Sequence, residues 1–358
     1  MGLPFNIFGI ASKPKSYLGI DIGTLSIKVV EISNEDGRPK LENYAILTDY
    51  GLPLKNLNPD GSGKTQKTFG GGASAALKRL MKEGGISAKE VNMSVPIFSS
   101  FLTVMELPQM PESEVASAVP FEAKKYIPIP LDSVAMDWSV IGVGDNGKIL
   151  VLLVAIPRDL IDEYAIIAKE ADLKLLTIEL ETISAARALI GNDPVPAVLM
   201  DLGSRDTTIS VVDGGYSRIS HSIEMSGEDL TRALASSLKV DWRRAEELKK
   251  QSGLKIMNGG DQITSVLSPL LDVVANTTRD IMDMYFSKTK KKIEKLIIYG
   301  GASKMPGFVE YLNNRLKMDV VVGNPFSRVA YPDKLKPMIN EIGHEFTIAI
   351  GLALKSLQ

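Results

Sequence analysis

The sequence predicts an α/β protein of two similar halves facing a cleft, with a small subdomain inserted into the first half. Three observations carry that prediction. The run LGIDIGTLSIK (residues 18–28) is echoed by LMDLGSRDTTI (199–209). Each is an apolar strand, an Asp, one apolar residue, a Gly, small polar residues and the next strand. A further strand-like run, Lys295 to Tyr299, ends in Gly300-Gly301. Residues 97–157 read β-α-β-β, the pattern of an insertion. An internal repeat is weighed before any local pattern, because it resets the fold assignment.

The elements follow in order. Residues 1–15 read as a loosely ordered arm. Tyr17 to Asp21 is apolar and closed by Gly23, and Ile27 to Ile32 alternates as IKVVEI, so both are strands. Asn34 to Pro39 is a turn and Leu41 to Leu47 a third strand. Leu52 to Gly72 is rich in Gly, Pro, Asn and Lys and reads as a loop. A helix over Ala73–Lys82 and a strand over Val91–Val95 precede Pro96. The insertion then gives a strand (Phe101–Leu107), a helix (Glu112–Lys125) stopped by Pro128 and Pro130, and strands near Val134–Val140 and Lys148–Ile156. A helix over Arg158–Ala171 follows. The second half repeats the opening: strands at Val198–Leu202, Thr207–Val212 and Tyr216–Ile223, the last two joined by a Gly214-Gly215 turn. Helices fill 227–238, 242–252 and about 266–289, and a terminal helix spans Glu345–Leu357.

Composition removes several function classes. The 358 residues carry 41 Lys+Arg against 43 Asp+Glu, a net charge of −2, which disfavours a nucleic-acid binder. With no cysteine, disulfides, Cys-ligated zinc, iron–sulfur clusters and thiol catalysis are excluded. With only two histidines, His221 and His344, a His-rich metal site is excluded too. The longest apolar run, Ile149–Ile156, falls far short of the roughly 20 residues a membrane helix needs. No secretory or myristoylation pattern opens the chain, so a cytoplasmic protein is expected.

The repeats carry chemistry. An Asp at a strand end before a Gly turn suits phosphate: the turn's N–H groups can face an anion, and the Asp acts through Mg2+ or water. Two such hairpins across a cleft can clamp a polyphosphate. With their residues quoted, LGIDIGTLSIK, MDLGSRDTT and IIYGGASKMPG resemble the phosphate-1, phosphate-2 and adenosine motifs of the actin/Hsp70/hexokinase ATPase fold. RAEELK (244–249) and the run Ser226–Thr231 resemble the adenosine-side helices of the cell-division protein FtsA. FEAKKYIPIPLDSVAMDW (121–138), GNPFSRV (323–329) and EIGHEFTIAIGLALK (341–355) are similar to the PilM family of type IV pilus assembly proteins.

That resemblance implies an actin-like ATPase fold, two RNase H-like halves around a nucleotide cleft with an inserted FtsA-type 1C subdomain. It divides the chain into subdomain 1A (1–95 and 158–190, with helix 345–357 packing across the halves), 1C (96–157), 2A (191–225 and 293–344) and 2B (226–292). It implies ATP and Mg2+ as cofactors, with Asp21 and Asp201 holding Mg2+ through water. Gly23, Thr24, Leu25 and Ser26 would form the first phosphate loop, with Lys28 a phosphate contact. Gly203, Ser204, Thr207 and Thr208 would form the second. Gly227, Glu246 and Lys249 would meet ribose or adenine. Gly300, Gly301, Ala302 and Ser303 would back the base and α-phosphate. Glu179 or Glu181 stands where hydrolysing relatives orient the attacking water; the sequence leaves open whether ATP is turned over at more than a weak rate. The implied partner is the short cytoplasmic N-terminal peptide of a PilN-like inner-membrane protein, near Phe121–Pro130. Other pilus platform proteins, motor ATPases and a second copy of the chain follow as further partners, nucleic acid does not, and the location is peripheral at the inner membrane through partners. Two readings remain beside it: an FtsA-like membrane-tethered filament protein, and a small-molecule kinase or phosphatase of the same fold.

Other motifs read blandly. Gly61–Thr65 (GSGKT) lacks the upstream Gly of a Walker loop, since Asn58 stands there. Lys288–Lys292 (KTKKK) is a solvated helix end favoured by the dipole. His344 is a packing or capping residue. The terminal helix lacks a basic flank and reads as a core helix.

Overall fold

The computed structural model describes residues 15–48, 72–144, 146–255 and 261–357. The expected N-terminal arm and the Gly-rich loop with its GSGKT run lie outside the described residues.

Two five-stranded sheets share one topology. In the first half, β1 (Ser16–Ile22), β2 (Ser26–Glu35) and β3 (Arg38–Thr48) form an antiparallel meander. β4 (Glu90–Val95) adds parallel to β1, and a strand that periodicity does not reveal, Lys174–Leu180, adds parallel to β4. The order is β3-β2-β1-β4-β8, with that last strand as β8. In the second half the order is β11-β10-β9-β12-β13, from β9 (Ala197–Leu202), β10 (Thr207–Asp213), β11 (Tyr216–Ile223), β12 (Lys295–Tyr299) and β13 (Asp319–Val322). Each strand of one sheet has its counterpart in the other. Parallel neighbours need a crossover, so each sheet buries its central strands and carries helices on its faces.

Between β4 and β8 the chain leaves the first half. A three-stranded antiparallel sheet of order β5-β7-β6 is built from β5 (Phe101–Leu107), β6 (Val134–Val143) and β7 (Ile149–Pro157), with α2 (Glu112–Ala123) against it. It has its own core of Met105, Leu107, Val115, Val119, Val151 and Leu153. The β-α-β-β order matches expectation. α1 (Gly72–Glu83) and α3 (Arg158–Glu170) cover the first sheet through Leu77, Leu160 and Tyr164. α4 (Glu181–Leu189) follows β8 and leads into the second half.

In that half, α5 (Gly227–Leu238) begins with a full capping box between Ser226 and Asp229, which satisfies helix-start N–H groups. α6 (Trp242–Gln251) and the long α7 (Asp261–Thr289) follow, and then α8 (Phe308–Leu316) and α9 (Lys336–Ile342). The expected terminal helix is split: a 3-10 turn over Gly343–Phe346 precedes α10 (Thr347–Lys355). Every residue from Thr347 to Leu354 is buried. One side of α10 packs Ala349, Ile350 and Ala353 with Val30 and Ile32 of the first sheet, and Ile348 and Leu352 join Leu199 and Ile297 of the second. Gly19 makes this possible, because a Cβ there would run into the Ala349 carbonyl and lie 2.6 Å from the Ala353 nitrogen. Among the described residues no helix is long and apolar enough to cross a membrane.

Candidate functional site

The two echoed hairpins close with the same hydrogen bond. Gly23 N–H donates to the Ser26 carbonyl at 3.0 Å, and Gly203 N–H to the Asp206 carbonyl at 3.1 Å. Strand register then places equivalent residues side by side: Asp21 opposite Lys28 in one hairpin, Asp201 opposite Thr208 in the other. Lys28 Nζ lies 3.4 Å from Asp21 Oδ2. Burial alone would lower the Lys28 ammonium, but Asp21, Glu345 and Asp201 together hold it above its ordinary value.

The Gly300-Gly301 turn abuts the second hairpin. β12 runs parallel to β9 with Tyr299 beside Asp201. Gly300 has φ +88°, and a Cβ there would overlap Asp201 Oδ1 and sit 3.0 Å from the Leu202 carbonyl. The next residues fold back: Ala302 N–H donates to Leu202 O at 3.4 Å, and Ser303 Oγ to Gly300 O at 2.8 Å. The start of α5 closes in from the other side, with Gly227 N–H bonded to Gly203 O at 2.9 Å and Glu228 N–H to Ser204 O at 3.2 Å. Lys249 on α6 donates to Gly227 O at 2.9 Å and to Thr231 Oγ1 at 2.7 Å, and pairs with Glu246 at 2.7 Å. The residues expected to form the second phosphate loop and the adenosine side thus meet around Gly203. Thr24 and Leu25 sit half-buried in the first turn. Thr207 stands apart. It is fully buried, and its hydroxyl is spent on the Met225 carbonyl, on the opposite sheet face from Thr208.

The two candidate carboxylates at the helix joining the halves have different surroundings. Glu179 is locked in an ion-pair knot: Arg187 binds both of its oxygens, Lys355 Nζ lies 2.8 Å from Oε2 and Ser184 donates at 2.8 Å. Burial pushes Glu179 up, but Arg187 and Lys355 outweigh it and hold it below the usual carboxylate range. Glu181 opens α4 among acids. Its Oε1 accepts from Ile97 N–H at 3.3 Å and lies 3.5 Å from Thr208 Oγ1. Burial, then the charges of Asp206, Asp201 and Asp21, raise it well above its ordinary value. Burial and the charges of Asp206 and Asp21 push Asp201 up to about 8. This is the signature of negative charge enclosed without enough cation beside it.

Two residues of the site escape sequence reasoning. Asp206 lies in the echoed run, and its carboxylate accepts from Thr208 Oγ1 at 3.2 Å and from Ser222 Oγ. Glu345 reaches the cleft only because α10 docks between the sheets, and no local pattern announces it. Glu228 is buried and its Oε1 has no hydrogen-bond partner among the described residues. Among the described residues no group of three or more His, Asp or Glu is arranged to ligate a metal directly.

A second feature lies close by. A cavity of about 350 Å³ opens between the inserted subdomain and β11, lined by Phe98, Phe101, Tyr126, Ile127, His221 and Ser222. Of its lining residues, Phe98 and Tyr126 stay exposed, at 56% and 40%.

Comparison with known proteins matches this architecture. Residues 19–357 match the family described as Type IV pilus assembly protein PilM. The cell-division protein FtsA of Pseudomonas aeruginosa is 24% identical over 214 residues, which cover 53% of this chain and 49% of that protein, so the chain spans about half the length of this relative. Among solved structures, the PilM-PilN type IV pilus biogenesis complex superposes with a TM-score of 0.79 at 23% identity, covering 96% of this chain and 98% of that one. MreB 5 of Spiroplasma citri bound to AMPPNP superposes at 0.53 and 14% identity over 95% of each. The fold is therefore that of the actin-like ATPases, and the chain belongs to the PilM family of type IV pilus assembly proteins.

Proposed function

We propose that this type IV pilus assembly protein is a nucleotide-binding scaffold, which takes ATP with Mg2+ in the cleft and grips the cytoplasmic N-terminal peptide of a PilN-like inner-membrane partner. The observation that carries the reading is the pair of matched hairpins with Asp21 and Asp201 at corresponding positions. The donor set fits the ligand. Hard carboxylate oxygens suit a cation that keeps its waters, and a dication relieves the charge that pushes Asp201 up. The turns that follow Gly23 and Gly203 offer N–H groups, Lys28 a cation, and Glu228 Oε1 an unused acceptor. Gly227, Glu246 and Lys249 then flank the nucleoside, with Gly300–Ser303 behind it. Glu181, rather than Glu179, is the carboxylate free to face an attacking water. The solved PilM-PilN complex and the AMPPNP-bound MreB 5 are of the same fold, which supports the reading.

For the peptide, the cavity beside Phe98 and Tyr126 is of ligand size and apolar along one wall. It lies in the neighbourhood expected from sequence, beside Phe121–Pro130. The domain boundaries proposed are those laid out from the sequence. Membrane association then comes through the partner; α10 is buried on all sides and presents no amphipathic face. Titration with a synthetic N-terminal peptide of a PilN-like protein tests the second half of the proposal. Binding that Phe98→Ala and Tyr126→Ala both weaken supports it, and unaltered binding by both removes the cavity from it.

A further inference from the structure

The two hairpin turns match in backbone but not in charge. Where the first ends on neutral Ser26, the second ends on Asp206. The Asp206 side chain turns inward. It takes the Thr208 hydroxyl at 3.2 Å and the Ser222 hydroxyl from β11, and Thr208 is one of the groups through which the second turn would hold a phosphate. Thr208 Oγ1 lies 3.2 Å from Asp206 Oδ2 and 3.5 Å from Glu181 Oε1, so Asp206 faces the same enclosed volume as Glu181. Among the described residues the cation acting on it is its sequence neighbour Arg205, which is exposed.

We propose that Asp206 is a specificity-determining residue that disfavours a terminal phosphate, so that the cleft holds a nucleoside diphosphate more tightly than the triphosphate. The inference rests on the nucleotide reading given above and refines it. A γ-phosphate arriving at the second turn meets a fixed carboxylate and finds Thr208 and Ser222 already bonded. Like charges in a partly enclosed site repel more strongly than in water. Specificity built by such a repulsive group needs no extra contact to the favoured ligand. The diphosphate shares the first turn, Lys28 and the nucleoside side, but leaves the Asp206 network intact.

The test is calorimetric titration of Mg-ADP and Mg-ATP, separately, into the full chain and into Asp206→Asn and Asp206→Ser. The first substitution keeps shape and removes charge; the second copies Ser26. Thermal unfolding checks that each variant is folded. The expected result is tighter binding of ADP than of ATP by the unaltered protein, and a shift of that ratio toward ATP by about tenfold in either variant, equivalent to roughly 1.4 kcal/mol. Both nucleotides binding with a ratio that neither substitution moves would overturn the inference while leaving the nucleotide site standing. Binding of neither nucleotide by the unaltered protein would instead remove the nucleotide reading, and this inference with it.

Discussion

The backbone N–H of Ile97 donates to Glu181 Oε1 at 3.3 Å. Ile97 lines the cavity beside the inserted subdomain, and Glu181 belongs to the acidic cluster of the cleft. Ser222 makes a second link, since it lines the same cavity and donates to Asp206. A movement of the cleft that shifts Glu181 and Asp206 would reach Ile97 and Ser222 in the cavity wall through these bonds. Nucleotide is therefore expected to change peptide affinity by about fivefold or more, the low end of measured couplings, and peptide to change nucleotide affinity by the same factor. Glu181→Ala removes one of the two links and should lower that factor, with the Ser222–Asp206 link left in place. Equal coupling in the variant would show that the link runs elsewhere.

Glu179 and Glu181 are two positions apart and should behave oppositely. Arg187→Ala leaves Glu179, in a site that is 5% exposed, with Lys355 as its remaining cation. Removing the partner of a buried charge costs on the order of 3–5 kcal/mol when nothing else pairs it, so with Lys355 in place the expected loss lies below about 3 kcal/mol. Arg187→Ala is expected to lower the unfolding midpoint in denaturant while leaving nucleotide affinity of the folded protein unchanged. A variant of full stability with lost nucleotide binding would move Glu179 into the site.

Gly19 is a packing requirement. Gly19→Ala places a methyl against the Ala349 carbonyl of α10. Overpacking against backbone, which cannot rotate away, typically costs about 1–3 kcal/mol. Chemical denaturation should show a loss at the upper end of that range, and wild-type stability would mean that α10 does not lie on β1.

His344 gives the fold an acid limit. It is buried, and its Nδ1 has no hydrogen-bond partner among the described residues. Burial first, then the charges of Lys304 and Lys28, lower its pKa from 6.5 to about 4. The unfolded chain binds the proton more readily, so this contribution is complete above pH 6.5 and is lost as pH falls from there toward 4. At one unit per roughly 1.4 kcal/mol, its full extent is about 3 kcal/mol. His344→Gln should flatten the fall in stability between those pH values, as read by denaturant midpoints. An unchanged slope would place the titration on another group.

Much of this was legible from residue order because the information is local. The Asp-x-Gly hairpins, the Gly300-Gly301 turn and the β-α-β-β insertion are set by patterns a few residues long. β8 and β13 were not legible. KLLTIEL lies between two helices and runs straight into the second with no turn residue after it, and DVVV is four residues long. They are strands because a neighbouring edge is open to receive them. The site divides along the same line. Asp21, Asp201 and Gly300 are fixed by local motifs, whereas Glu345 enters through the packing of a helix from the far end of the chain. Thr207 and Thr208 are adjacent in sequence, yet strand alternation turns one hydroxyl to Met225 and the other to Asp206. Asp206 had a visible signal, a second acid in a turn whose partner turn has Ser26.

Calorimetric titration of Mg-ATP into the unaltered protein, Asp21→Ala and Asp201→Ala decides whether two matched hairpins clamp one nucleotide. One nucleotide per chain is expected, with binding weakened by each substitution alone because both hairpins are needed. Binding that neither substitution alters, or none in the unaltered chain, would rule the clamp out.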